Sequence, residues 1–274
     1  MTGACKVCGG ACAPGPSGLT VCGSCGLAFS RGNVYFEPVY APGLEEDILA
    51  TAKTALFSAA LDRLEEQLPG KGALLDIGCA GGELLKMASA RGWRAEGIEL
   101  SGRLADKAAS PGFRVHRRPV EEAGLVPAAY DAITVFEVFS QMAGPAAAAA
   151  EIFRIMKPGG TLYVREFNSA FHLPLRAMEL RGFFRPLGAR PSVIHNFNFG
   201  ARSLRAMLER AGFRDIRIRN SPPTAGDPYR TGGRLGGLLT RLLKVLYYWL
   251  ALAVWAATFG RVFIGSALIV TARK

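Results

Sequence analysis

The run LLDIGCAGG, Leu74 to Gly82, constrains this chain more than any other segment. An apolar stretch ends in Asp76, a glycine-rich turn follows at once, and ELLKMASARG continues with helical spacing. That order predicts a strand, a tight turn and a helix. Glycines let the backbone of such a turn approach a ligand, and the helix N-terminus adds unpaired N–H groups. A second acid, Glu99, ends the next predicted strand, WRAEGIEL, 17 residues after Gly82. A carboxylate at that place takes both hydroxyls of a ribose. The pair predicts a site for a nucleoside-bearing cofactor.

The type of cofactor follows from what surrounds the turn. A dinucleotide site shows G-x-G-x-x-G, whereas the pattern from Asp76 is D-I-G-C-A-G-G. No Walker-type G-K-[ST] follows, and Glu83 enters the first helical turn, where it repels a phosphate. A cofactor without phosphate fits better.

With these residues the chain resembles the class I S-adenosylmethionine-dependent methyltransferases, whose first motif is close to LDIGCGxG, with an acid ending the second strand. The resemblance continues in YDAITVFEVFSQM (Tyr130–Met142) and in IFRIMKPGGTLYV (Ile152–Val164), and it covers roughly Leu74 to Lys274. It implies an α/β fold with a Rossmann-like seven-stranded methyltransferase sheet and S-adenosyl-L-methionine as cofactor. Carried over by position, Asp76, Gly78, Ala80 and Gly82 shape the methionine pocket, Glu99 binds the ribose hydroxyls, and Val120 lies near the adenine. Ala80 stands where the family usually has its middle glycine. Arg117, Arg118 and Pro119 stand where many relatives have an acid before the adenine position. Glu137 follows the fourth strand, where cofactor meets acceptor. Relatives often read E-V-L-E-H there; this chain reads E-V-F-S-Q, so Ser140 and Gln141 replace the acid and the histidine. Cys79 reads as a small apolar wall residue.

Cysteines mark a second unit. Five of the six fall within residues 5–25, as C-x2-C (Cys5, Cys8), thirteen residues, then C-x2-C (Cys22, Cys25). The following glycines, in CKVCGG and CGSCG, let the backbone curl so that N–H groups point at sulfur. Four thiolates in two knuckles make a tetrahedral Zn²⁺ site. With every position filled by sulfur the zinc is structural, and it supplies folding energy to a segment too short for much core. Cys12 falls off the pattern and is treated as a spare. The arrangement, ending in CGLAFS, resembles the zinc ribbon that precedes the methyltransferase domain in many bacterial enzymes. The expected organisation is a ribbon at 1–36, a helical connector at 37–72 with helix around Glu45–Leu68, and a methyltransferase domain at 73–274.

Charge is uneven. Residues 1–166 hold 16 Lys/Arg and 18 Asp/Glu, while residues 167–274 hold 17 and 4. A balance of +13 in the second part, in a chain of net +11, points to an anionic partner. The first residues carry cysteines and glycines where a secretory apolar region would stand, so a cytoplasmic setting with reduced thiols is expected.

After the predicted fifth strand (Thr161–Arg165), residues 167–199 have three prolines, many aromatics and no clean period. They read as an irregular acceptor-side insertion. His195, just before the helix expected at Ala201–Ala211, resembles in position the family's H-x-x-F segment, which faces the active site; a histidine suits proton abstraction near neutral pH. A structural histidine is an equal reading; His172 is a lesser candidate, and His116 belongs to the third strand. FRDIRIR (Phe213–Arg219) and SALIVTARK (Ser266–Lys274) read as the last two strands, which the family pairs antiparallel.

Between them lies an insert, 220–262, whose segment VLYYWLALAVWAATFG (Val245–Gly260) has sixteen residues without a charge. As a helix it is about 24 Å long, short of the roughly 30 Å hydrocarbon core. A span would also strand the last β-strand across the bilayer. Tyr247, Tyr248, Trp249 and Trp255, flanked by Arg234, Arg241, Lys244 and Arg261, suit peripheral contact with the inner face of a membrane through 235–261. Packing on protein is the competing reading.

The expected function is methyl transfer to O, C or N of a small amphipathic or lipid-linked metabolite. His195 and Glu137 are the candidate bases. RNA methylation is the alternative, opposed by the absent D/N-P-P-Y motif, and nucleic acid is therefore a disfavoured partner. A non-catalytic cofactor-binding scaffold at the membrane is a second alternative.

Overall fold

The computed structural model describes residues 3–30, 53–187, 190–224 and 234–274. Its strands are β1 (Cys12–Pro14), β2 (Thr20–Cys22), β3 (Ala28–Phe29), β4 (Ala73–Ile77), β5 (Arg94–Ile98), β6 (Arg114–His116), β7 (Tyr130–Phe136), β8 (Met156–Phe167), β9 (Phe197–Asn198), β10 (Arg214–Asn220) and β11 (Ala267–Arg273). The helices are α1 (Thr54–Gln67), α2 (Glu83–Ala90), α3 (Gly102–Ala109), α4 (Pro145–Ile155), α5 (Ser169–Leu180), α6 (Ala201–Ala211) and α7 (Arg234–Ala257).

Seven strands form the main sheet in the order β10-β11-β8-β7-β4-β5-β6. β6, β5, β4, β7 and β8 are parallel, and β11 runs antiparallel between β8 and β10. This is the expected Rossmann-like methyltransferase sheet. Parallel strands covered on both faces read as continuous apolar runs, as ALLDI and YDAITVF do. Leu74, Ala132 and Tyr163 point to one side, where α1 and α2 bring Leu56, Phe57, Leu61, Leu64 and Leu84. Leu75, Ile133 and Leu162 point to the other, where α4 and α6 bring Ile152, Leu204 and Leu208. All of these are buried. Each side chain of this size contributes about 1.5–3 kcal/mol when removed from water. Phe136 locks the first layer, edge-on to Phe57 at 4.9 Å and stacked with Tyr163 at 5.6 Å.

The C-terminal ends of β4, β5, β7 and β8 lie along one edge of the sheet, and the site is built there. Reversal of β11 keeps β10 parallel to β8, so Asn220 ends at the same edge.

A second sheet has the order β1-β2-β3-β9. Its first three strands belong to the cysteine segment. The fourth comes from the insertion after β8, paired Ala28 to Asn198 and Phe29 to Phe197. The insertion is more regular than its composition indicates. Asn168 accepts a hydrogen bond from Ala170 N–H and caps α5, which carries Pro174 in its interior. The connector expected at 37–72 is seen only from Lys53 onward, as α1; residues 31–52 lie outside the described residues.

In the late insert, α7 has two faces. Ala251 is buried, Asn220 donates from Nδ2 to its carbonyl, and Tyr247 Oη donates to Ile264 O at 2.7 Å. The opposite face exposes Leu242, Leu246, Trp249 and Leu250. No helix among the described residues is long and apolar enough to cross a membrane.

Candidate active site and cysteine cluster

The glycine turn bends as its residues require. Gly78, Ala80 and Gly82 have φ of 76°, 46° and 82°. At Gly78 a Cβ would sit 2.3 Å from Val138 Cγ2, so glycine is demanded twice there. Ala80 takes the left-handed conformation with a side chain, which costs about 1–2 kcal/mol. Glu99 holds the strained turn. Its Oε2 accepts from Ala80 N–H at 2.9 Å and its Oε1 accepts from Ser101 N–H at 2.8 Å. A carboxylate has about four acceptor positions, so each oxygen keeps capacity for a hydroxyl. Asp76 is fully enclosed beneath the turn and accepts from Thr134 Oγ1 at 2.6 Å. Burial pushes its carboxyl up to about 7, against the Thr134 hydrogen bond and the charge of Lys53. Val120 is buried in the 3-10 turn after β6. Gly97, which the motif reading passed over, admits the turn: a Cβ there would meet Cys79 Sγ at 2.5 Å. Cys79 is the buried wall residue expected, and burial raises its thiol.

Beside the turn, β7 and β8 end in an ion cluster. Glu137 has φ of 62°, held by its N–H on Arg165 O and by Gln141 Nε2 on its own carbonyl. Its Oε2 lies 2.8 Å from Lys53 Nζ, and its Oε1 pairs with the Arg165 guanidinium. Burial lowers Lys53 and Arg165 from their usual ranges, against the charge of Glu166, which favours the charged form of both. Arg165 Nε also donates to Ser221 Oγ at 2.9 Å. Neither Lys53 nor Arg165 was foreseen as a site residue. Lys53 precedes the first motif by more than twenty residues, and Arg165 looks from sequence like a strand end.

His195 stands next to this cluster with Nδ1 2.8 Å from Ser140 Oγ. Ser140 N–H donates to Glu166 Oε2 at 3.1 Å. Burial pushes Glu166 up to about 7 and His195 down to about 4. Phe167 lies edge-on to the His195 ring at 5.7 Å. His172 is committed elsewhere: Nδ1 accepts from Val193 N–H and Nε2 donates to Ser266 O, which makes it a strap between α5 and β11. His116 sits in β6, as expected, against Glu96 at 3.2 Å.

The four cysteine Sγ atoms of Cys5, Cys8, Cys22 and Cys25 lie within 4.8 Å of one another. Val7 N–H points at Cys5 Sγ, Gly10 N–H at Cys8 Sγ and Cys25 N–H at Cys22 Sγ, at 3.4–3.5 Å. This donor set matches tetrahedral Zn²⁺ with closed coordination. Cys12 Sγ instead faces Gly10 O. Burial, with Cys5 and Cys22 adding, pushes its thiol up to about 11.

Comparison with known proteins agrees with this geometry. A family model described as "Methyltransferase domain" matches residues 50–218. A ubiquinone biosynthesis O-methyltransferase of Xylella fastidiosa is 29% identical over 194 residues, 66% of this chain and 76% of that protein. A protein of the same name from Methylococcus capsulatus is 30% identical over 118 residues, 40% of this chain and 49% of that one. Among solved structures, a SAM-dependent methyltransferase from Archaeoglobus fulgidus superposes with TM-score 0.54 at 18% identity, covering 84% of this chain and 97% of that one. Phosphoethanolamine N-methyltransferase 2 of Haemonchus contortus, in complex with S-adenosyl-L-methionine, gives 0.51 at 17%, covering 79% and 52%. With the glycine turn, the capping acid and the seven-stranded sheet in place, the chain belongs to the methyltransferase-domain family and is a class I S-adenosylmethionine-dependent methyltransferase.

Proposed function

We propose that this chain methylates a small amphipathic or lipid-linked acceptor, with His195 as the group that takes the acceptor's proton. The observation that carries the reading is the chain Glu166–Ser140–His195 at the edge where Glu99 and the glycine turn stand. In the proposed tautomer His195 Nδ1–H donates to Ser140 Oγ. That tautomer leaves a lone pair on Nε2, which has no hydrogen-bond partner among the described residues. Burial keeps the ring neutral at pH 7, as a base must be.

The cofactor, when bound, supplies a methyl group on a sulfonium. Asp76, Gly78, Ala80 and Gly82 would hold its methionine part, Glu99 the ribose hydroxyls, and Val120 the adenine side. Glu137 acts as an anchor rather than a base: with Lys53 and Arg165 on its two oxygens it fixes the ends of β7 and β8. Methyl transfer is an in-line displacement, so alignment and exclusion of water carry most of it.

The acceptor class rests on two supports. The exposed apolar face of α7 suits an amphipathic substrate or the membrane surface that stores it. The two relatives above carry names of ubiquinone biosynthesis. The cysteine cluster is proposed to hold one structural Zn²⁺, with the ribbon at 1–36, the connector at 37–72 and the catalytic domain at 73–274.

The test is turnover. Purified protein with S-adenosylmethionine and a short-tailed hydroxylated quinol should release S-adenosylhomocysteine and a product heavier by one methylene. His195→Asn should slow it by about 10²–10⁴, and turnover unaffected by that change would remove His195 from the role.

A further inference from the structure

Along α7, Leu242, Leu246, Trp249, Leu250 and Ala253 recur at helical spacing, and all are exposed among the described residues. Exposed Ala256 and Ala257 carry the stripe on to the helix end, about 22 Å from Leu242, without one polar residue. Just beyond, Phe259 is 89% exposed and Val262 is exposed too. Single exposed apolar side chains are ordinary; an unbroken stripe of them marks an interaction surface. The other aromatics of the segment, which the sequence suggests for membrane contact, turn toward the protein. Tyr247 Oη donates to Ile264 O, its ring meets Phe171 at 5.1 Å, and Tyr248 and Trp255 are half-buried.

Shape and charge select the occupant. A helix face is convex, whereas a small molecule needs a concavity, so the stripe is not itself a pocket for the acceptor. Residues 234–274 hold six Lys/Arg and no Asp or Glu, and Arg241 and Arg261 stand exposed at the two ends of the stripe. A second copy laid on the same stripe would set these basic ends against one another. An anionic lipid surface meets the apolar stripe with hydrocarbon and the arginines with headgroups. We infer that α7 lies in the surface of an anionic bilayer, with Leu246 and Trp249 inserted and Arg241 and Arg261 on the headgroups. This deepens the acceptor reading above by naming the partner. On the protein side of the helix, Ala251 O accepts from Asn220, which ends β10 at the methyl-transfer edge. Docking would bring that edge within about one helix diameter, ~10 Å, of the lipid. The consequence for catalysis rests on the acceptor reading; the binding itself does not.

The experiment sediments the full chain with vesicles of phosphatidylcholine, with and without phosphatidylglycerol. Binding should need phosphatidylglycerol and weaken with salt. Arg241→Gln with Arg261→Gln should weaken it by about fivefold for each charge removed. Leu246→Ser with Trp249→Ser should weaken it at least about tenfold even at low salt. Both variants should keep the wild-type melting temperature and S-adenosylhomocysteine affinity. Wild type that ignores phosphatidylglycerol vesicles, or a Leu246→Ser, Trp249→Ser variant that binds them equally well, would overturn the inference. So would a wild-type dimer that this variant dissociates, which assigns the stripe to a second copy, or a lowered melting temperature without vesicle binding, which assigns it to the chain's own packing. Turnover of a soluble quinol without vesicle binding removes the membrane inference alone, and vesicle binding without turnover removes the acceptor reading alone.

Discussion

Phe29 of the cysteine segment pairs with Phe197, two residues beyond His195, in an antiparallel bridge with rings 6.2 Å apart. Around this pair, Ser30 N–H donates to Asn196 O, Asn198 Nδ2 donates to Ala28 O, and Arg210 reaches Cys8 O. The ribbon is therefore one wall of the loop that presents His195. A cysteine cluster more than 160 residues away in sequence is tied to the His195 loop by a two-stranded ladder.

Metal removal should thus separate the two halves of the reaction. Elemental analysis should find one zinc per chain, and Cys5→Ser or Cys25→Ser should lose it. With the proposed zinc supplying the folding energy of so small a unit, its loss should unfold the cysteine segment and release the pairing of the His195 loop. Methyl transfer should fall sharply while calorimetry shows S-adenosylhomocysteine binding intact. Full activity in a metal-free variant would contradict the coupling.

Glycine substitutions test the backbone argument. Gly97→Ala places a methyl 2.5 Å from Cys79 Sγ, and the overpacking should cost about 1–3 kcal/mol in chemical denaturation. Ala80→Gly relieves a left-handed alanine at φ 46° and should lose no stability, although glycine in most positions does. A large loss at position 80 would mean the turn is not strained as described.

Much of this architecture is legible in the residues themselves. The continuous apolar runs ALLDI and YDAITVF, the bounds of α6 between Gly200 and Gly212, and the antiparallel last pair all follow from local pattern. The ion cluster does not. Lys53, Glu137 and Arg165 come from three elements, and only the parallel register that sets Phe136 opposite Arg165 brings them together. Helix α5 was hidden by Pro174 and the surrounding aromatics, although Asn168 ahead of a helix-forming run was a readable cap. The ribbon's docking is invisible for a similar reason: β9 is two residues long and has no period.

The Ser140 relay predicts a graded result. His195→Asn should lower kcat by about 10²–10⁴, the range for general acid–base catalysis. Ser140→Ala should cost less, because it frees the tautomer without removing the ring, and neither should alter cofactor affinity. Since burial pushes His195 down to about 4, the acid limb of kcat/KM should lie well below the usual histidine value of 6.5. A limb near 6.5 would place another group in the role.

Stability should respond to pH through four groups with opposite signs, Asp76, Glu166 and His172 buried and His195 partly so. His172 and His195 are pushed down to about 4 and stay neutral when folded. The unfolded chain protonates them through pH 6.5, so their contribution is present above that value and is lost as pH falls toward 4, at up to about 1.4 kcal/mol per pKa unit for each. Asp76 and Glu166, pushed up to about 7, contribute below the unfolded carboxylate range and lose that contribution as pH rises through about 7. His172→Gln should therefore flatten the acid side of a Tm profile between pH 4 and 6.5 and leave the neutral side unchanged. An unchanged acid side would show that His172 is not held neutral.

The most direct measurement is a calorimetric titration of S-adenosylhomocysteine into the wild type and into Glu99→Gln. The wild type should bind one equivalent, and the variant should bind more weakly by about 1.5–3 kcal/mol, the range for hydrogen bonds to a charged group. A wild type that takes up no S-adenosylhomocysteine, or a variant that binds it equally well, would contradict the assignment of this sheet edge as the cofactor site.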